Sequence, residues 1–283
     1  MDINLTLDAL FDNRARLLQD ANQAICLSSA LVPGSCIADS YKALSIVNDE
    51  VLRNQTGVEL YSTFGVHPYN AYGTQVPSDV KLEILQGLQN DRVVAVGECG
   101  LDASPGFPPM EDQVAWFRAQ LEIACESQMP LVLHERKAHK EFVDCLNMYN
   151  STLPSKLLVH CFTGNEDELQ TYLNMGCYIS VSGYICRKNK EGSRFRKMLK
   201  AVNPPANRLL IETDAPYMNF PGCRKLTEFE QNNDSPNIPS SLLLVAETLA
   251  TTLDRDLHQL CSDSFHASCE FLGLPSRGSM SQI

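Results

Sequence analysis

Five short apolar runs each finish on a side chain that can hold a metal ion or move a proton. ELYSTFGV at 59–66 leads into His67, VVAVGE at 93–98 ends on Glu98, PLVLH at 130–134 on His134, KLLVHCF at 156–162 contains His160, and RLLIETD at 208–214 ends on Asp214. Taken singly, each has an ordinary explanation, because surface acids and hydrogen-bonded core histidines are commoner than ligands. Taken together they do not. Three imidazoles and two acids, with no Lys or Arg beyond the first residue of any run, form a donor set for a divalent cation, since buried carboxylates are costly unless paired or metal-bound. The expected ligands are Glu98, His134, His160 and Asp214. Imidazole with carboxylate suits zinc, manganese or iron, whereas magnesium prefers an all-oxygen shell. Two ions sharing Glu98, roughly 3.5–4 Å apart, would activate water on one side and hold a leaving oxygen on the other. HERKAH at 134–139 is not an H-E-x-x-H zinc motif, because Ala138 stands where the second histidine belongs. His139, His258 and His266 are expected to lie behind the ligands or at the surface.

Those side chains can meet only if their runs are strands ending on one face. DINL at 2–5, AICLSSA at 24–30 and CYISVSG at 177–183 bring the strand-like runs to eight. A β-branched run such as VVAV without alternation reads as a strand covered on both sides, the habit of a parallel sheet. Between the runs lie segments of helical spacing, as at 111–128, where Val114, Phe117, Leu121, Ala124 and Cys125 share a stripe. Eight strand-helix repeats in one chain predict an α/β fold, a (β/α)8 TIM barrel whose strand ends converge at the catalytic mouth. A doubly wound open sheet competes less well, for the chain has no Gly-rich phosphate loop. One domain over residues 1–272 and a loose tail over 273–283 are expected, with longer irregular stretches at 103–112 and 219–241.

Composition is globular, with 44% hydrophobic and 20% charged residues in a chain of 283. No apolar run is long enough to span a bilayer, and the first twenty or so residues lack the apolar core of a secretory signal. The eleven cysteines are odd in number and form no C-x-x-C pair, so reduced thiols are expected rather than a disulfide framework or zinc knuckle. A cytoplasmic monomer is the expectation, with the nucleus open for a eukaryotic source. The net charge of −11 argues against non-specific coating of nucleic acid.

Locally, however, the charge reverses. YICRKNKEGSRFRKMLK at 184–200 carries seven Lys or Arg, including Arg187 and Lys188, against the single acid Glu191. Such runs are usually solvated helix faces, but this one should begin at the mouth of the barrel. Arg136, two residues beyond His134, could grip a phosphate bidentately or form a rim salt bridge. A basic rim beside a cation site suits a polyanionic strand.

GVHP, VGECGLD, LHERKAH, VHCFTGN and IETDAPY, in this order and at these separations, resemble the motif series of the TatD family of metal-dependent deoxyribonucleases. The likeness covers nearly the whole chain. It is nearest to the branch lacking an N-terminal H-x-H pair, and NDSPNIP at 233–239 is similar to a family N-x-P-x-x-x-P segment. The resemblance implies a TIM-barrel hydrolase that cleaves DNA phosphodiesters, at single-stranded or duplex ends, as a 3′-to-5′ exonuclease, with RNA as a further substrate. It implies magnesium or manganese, with zinc as another candidate, one or two ions per chain. By matching position it makes Glu98, His134, His160 and Asp214 metal ligands, with Glu98, Asp214 and His67 catalytic. His67 would also contact the scissile phosphate, and Asp214 would orient or deprotonate water; Arg136, Arg187 and Lys188 would bind substrate. Where the family commonly has H-x-H on its first strand, this chain has DINLT, with Asn4 at the second position and two residues fewer than usual. Glu135 and Lys137 replace smaller or differently charged residues around Arg136. Two rival readings are an amidohydrolase-type enzyme acting on a small amide, lactone or nucleobase, and a relative that binds nucleic acid without cleaving it.

Overall fold

The computed structural model describes residues 13–228 and 235–275. Helix α1 (Arg14–Ile25) leads into strand β1 (Ser29–Val32), which is followed by α2 (Ile37–Val47) and α3 (Glu50–Thr56). Then come β2 (Glu59–Phe64), α4 (Ser78–Gly87), β3 (Val93–Asp102), α5 (Met110–Ser127), β4 (Leu131–Arg136) and α6 (His139–Met148). The alternation continues with β5 (Leu157–Val159), α7 (Glu166–Asn174), β6 (Tyr178–Val181), α8 (Lys190–Val202) and β7 (Leu209–Ile211). Two helices close the described chain, α9 (Leu242–Leu253) and α10 (Leu257–Leu272). Every sheet pairing is parallel and the strand order follows the chain, β1 to β7.

Side chains along a strand point alternately to opposite faces. Leu131 and Leu133, Leu157 and Val159, Ile179 and Val181, Leu209 and Ile211 therefore face outward, where they pack with the helices in the largest core cluster. Their neighbours along each strand, Val132, Leu158, Tyr178 and Leu210, face inward and join Leu31 of β1, Val94 of β3 and Phe271 of α10 in a second cluster. Strands at both ends of the sheet thus share one plug, so the sheet curls around it. This is the (β/α) order and inner-layer packing of a TIM barrel.

The same alternation aims the functional groups. Two residues beyond the inward Val132, Leu158 and Leu210 come His134, His160 and Glu212, on the same side and one layer higher. Strand β3 adds a register shift between Val96 and Cys99 against β4, and Glu98 lies within that irregularity. Gly97 (φ 125°) and Gly100 (φ 147°) make it feasible, for a Cβ at either would collide with the carbonyl oxygen of Val132 or of His134.

Several expected boundaries move. The run AICLSSA at 24–30 is not a strand from its start: Ile25 ends α1, Cys26 takes a left-handed cap with φ 53°, and β1 begins only at Ser29. Short apolar runs do not distinguish a helix end from a strand. The stretch 103–112 is irregular only to 109, and β3 extends through Asp102. Helix α5 carries the expected stripe, but its inner face also buries Gln113 and Gln120. Gln120 brackets the backbone N–H and carbonyl of Val66, at 2.8 and 2.9 Å, and thereby pins the segment before His67. DINL at 2–5, with Asn4, and most of the expected tail lie outside the described residues.

Candidate metal centre

One oxygen of Glu98 organises the mouth of the sheet. Its Oε1 lies 2.9 Å from His134 Nδ1, 3.0 Å from His160 Nε2 and 3.5 Å from His67 Nε2. These residues come from β3, from β4, from the residue after β5 and from the turn after β2, so four strand ends supply them.

The outer nitrogens of the two nearer imidazoles decide how they can act. His134 Nε2 donates to Asp102 Oδ2 at 2.9 Å, and His160 Nδ1 donates to Glu212 Oε2 at 3.2 Å. A carboxylate behind each ring fixes a proton on the outer nitrogen and turns the other nitrogen toward Glu98, the arrangement that orients metal-binding histidines. Asp102 and Glu212 are themselves buried, at 2% and 3% exposure, and Glu212 Oε1 has no hydrogen-bond partner among the described residues. His67 has the opposite polarity. Its Nδ1 accepts from the backbone N–H of Tyr69 at 3.1 Å, leaving Nε2 to carry the proton of a neutral ring. The ligand atoms of His67, Glu98 and His134 are close enough to surround one ion, but this tautomer makes His67 a donor toward the cleft.

The electrostatics follow from burial and these contacts. Burial lowers the pKa of His67 to about 4, assisted by the charges of His134 and His160 and only partly resisted by Glu98 and Asp102. Burial would do the same to His134, but hydrogen bonds to Asp102 and Glu98 overcome it and raise that ring to about 9. His160 is likewise held well above its ordinary value by Glu98 and Glu212 against the effect of burial. The Glu98 carboxyl, which burial alone would raise, is held well below the usual range by the charges of His160 and His67 and the hydrogen bonds of His134 and His160. Without an ion, imidazolium protons supply the positive charge that this carboxylate requires. The place suits a divalent cation: His67, Glu98 and His134 bring ligand atoms close to one another, and His160 Nε2 lies 3.0 Å from the same Glu98 oxygen.

Asp214 stands beside this group. It follows β7 with φ 53°, a backbone conformation uncommon outside glycine, and its Oδ2 accepts a 3.5 Å hydrogen bond from Cys161 Sγ. Burial, with the nearby Glu212 and Glu98, raises its carboxyl to about 7 even though His160 pulls the other way. Asn237, fully buried, ties the long loop to this strand end by donating from Nδ2 to the Thr213 carbonyl at 2.8 Å.

The basic run divides by role. Arg187 lies with its guanidinium 4.9 Å from the Tyr184 ring centroid, and Lys188 and Arg136 are exposed. The Tyr184 phenol, raised by burial and Glu191, is pulled back by Arg187, Arg136 and Arg194, which places those cations around it. Arg196 is spent on structure, donating to the carbonyls of Ile185 and Arg187. Glu135 turns inward, where its carboxylate accepts from Tyr172 Oη at 2.9 Å and from the Ala138 N–H at 2.9 Å. His139 joins this group through Tyr172, at 2.8 Å, while His258 and His266 are exposed on α10.

The family model for TatD-related DNases matches residues 4–273. The chain belongs to the TatD-related DNase family. A protein named 3′-5′ ssDNA/RNA exonuclease TatD from Enterobacter lignolyticus is 40% identical over 192 residues, 68% of this chain and 69% of that one. A protein of the same name from Citrobacter koseri is 36% identical over 270 residues, covering 93% and 98%. Among solved structures, a TatD-family hydrolase from Entamoeba histolytica superposes with a TM-score of 0.80 at 25% identity, covering 96% of each chain. Family membership makes the chain a hydrolase of ester bonds, a nuclease, on a TIM-barrel scaffold, and it accords with a divalent cation at the His and Glu cluster.

Asp102, Glu212 and Asn237 were not among the expected site residues. Removing the support behind one imidazole should show their importance. Asp102→Asn is expected to weaken cation binding about 10–100-fold, the usual effect of losing such a partner, while the protein stays folded. Calorimetric titration with manganese, beside a thermal melt, measures both.

Proposed function

We propose that this chain is a single-domain, metal-dependent exonuclease that shortens single-stranded DNA, and RNA, from the 3′ end, with magnesium or manganese as its ion and zinc as the other candidate. The observation that carries the reading is the convergence of His134 and His160 on Glu98 Oε1, each ring backed by its own buried carboxylate.

A divalent cation held there supplies Lewis-acid stabilisation of charge on the phosphoryl oxygens and makes water more acidic. The remaining work falls to side chains. Asp214, with its carboxyl near 7, accepts the proton of the attacking water at neutral pH. The Cys161 thiol, held protonated because burial and then Asp214 raise its pKa, keeps that carboxylate in place. His67 presents Nε2–H to a phosphate oxygen as a neutral donor. Arg136, Arg187 and Lys188 neutralise the strand beyond the scissile bond, with Arg136 capable of a bidentate grip.

An amidohydrolase-type activity on a small neutral substrate gives those cations no purpose, and the relatives named ssDNA/RNA exonucleases favour the strand. A location in the cytoplasm accords with eleven cysteines, an odd number without a C-x-x-C pair. The test is digestion of 5′-labelled single-stranded DNA and RNA with each cation in turn and with excess chelator. A descending ladder that requires the cation is expected, and Asp214→Asn should suppress it about 100-fold or more, the range of general-base loss. Release of the labelled 5′ nucleotide first would reverse the polarity, and intact substrate under every cation would overturn the reading.

A further inference from the structure

Part of the wall of the cleft is aromatic. Tyr69 and Tyr217 expose 55% and 53% of their surface, which is much for rings that a fold could bury. Tyr69 lies edge-on to Phe107, with centroids 5.5 Å apart and an interplanar angle of 84°. Phe107 in turn faces the catalytic imidazoles, 6.0 Å from the ring of His67 and 6.4 Å from that of His134. Tyr217, three residues past Asp214, reaches the same mouth: its phenol, raised first by burial, also feels Asp214, Glu98 and Tyr69.

The two walls differ in chemistry as the two halves of a nucleotide do. Arg136 and Arg187 gather around Tyr184 on the β4 and β6 side, where a phosphodiester backbone would run. Tyr69 and Phe107 rise from the segments after β2 and β3, and the second of these adjoins the end of β4, where the Ala103 N–H donates to the Arg136 carbonyl at 2.9 Å. A strand whose scissile phosphate lies at Glu98 brings its terminal base within reach of these rings, because Phe107 lies against the imidazoles of His67 and His134. Aromatic rings stack on any base without reading it, because every base presents a π-face.

Resting on the exonuclease reading above, we infer that Tyr69 and Phe107, with Tyr217 at their edge, form a stacking subsite for the terminal unpaired base.

The experiment uses the full chain and two 5′-labelled single-stranded oligonucleotides, one ordinary and one whose 3′-terminal nucleotide is abasic. Wild type is expected to remove the abasic terminus with kcat/KM lower by about 5- to 150-fold, the range of a lost base stack, chiefly through KM. Tyr69→Leu should lose a similar factor on the ordinary end and much less on the abasic end, and Tyr69→Phe, which keeps the ring, should restore the ordinary value. Equal penalties for Tyr69→Leu on both ends would mean a structural ring and would overturn the subsite, as would equal rates of wild type on the two ends. If wild type cuts neither oligonucleotide under any cation, the exonuclease reading falls and the subsite with it; a thermal melt of each variant excludes unfolding as the cause of a loss.

Discussion

Glu98→Ala is expected to remove nuclease activity by at least about a thousandfold and to leave the protein unable to retain a divalent cation. The argument is one of charge. Glu98 Oε1 is the atom on which His134 and His160 converge, so its loss takes away both an anionic donor and the point that fixes the two rings relative to each other. Metal-assisted stabilisation of a transition state amounts to several kcal/mol, and each step of about 1.4 kcal/mol is tenfold in rate. The fold should survive. Asp102 and Glu212 still hold the outer nitrogens of the two imidazoles, and the glycines that permit the close approach of β3 to β4 are untouched. Nucleotide release from single-stranded DNA, bound manganese after dialysis and a thermal melt distinguish loss of the site from loss of the structure. Cleavage at the wild-type rate by a folded Glu98→Ala protein would remove Glu98 from the chemistry.

The cluster was legible in the sequence because the strand period is two and parallel strands end together. VVAVGE, PLVLH and KLLVH each announce a strand that finishes on a donor, and once the strands are parallel the donors must share a face. What stood behind them was harder to read. Glu212 is an acid one residue past β7, and only the alternation with Leu210 shows that it turns inward toward His160. Asp102 sits in the same ten-residue stretch as Glu98, yet its service to His134 depends on the pairing of Gly100 with His134 and Asp102 with Arg136. Such pairings belong to tertiary register, which no local pattern contains. Gln120 and Gln113 were hidden for a related reason. A buried amide on the apolar face of α5 reads as a blemish in the helical stripe until the backbone it satisfies is known.

Charge patterning misled in one respect. The run from Arg187 to Lys200 is basic as a whole, but Arg196 serves the carbonyls of the turn beneath it, while Arg187 and Arg194 join Arg136 around Tyr184. Glu135 shows the converse. It adds a charge next to Arg136 in the sequence, but in the fold it faces Tyr172 and the Ala138 N–H, on the other side of the strand from the cleft. Its contribution is to hold the turn that presents Arg136, and the half-buried His139 supports the same turn through the Tyr172 hydroxyl.

Cation binding should release protons and strengthen steeply with pH. In the metal-free protein His134 titrates at about 9 and His160 well above its ordinary value, because Asp102, Glu98 and Glu212 favour the charged rings more than burial disfavours them. At pH 7.5 His134 is therefore protonated and His160 is biased toward its charged form, and an ion can take Nδ1 of one and Nε2 of the other only by expelling such protons. His67, lowered to about 4, is already neutral and contributes nothing in this window. The sign follows: raising the pH removes the competitor, so affinity rises by about tenfold per pH unit for each proton expelled, or about tenfold to a hundredfold between pH 7 and 8. Calorimetric titration of manganese in two buffers of different ionisation enthalpy counts the protons directly. His160→Gln should lower the count by one as well as weaken binding. An affinity that is flat or falling over that range would show that the two imidazoles do not meet the ion.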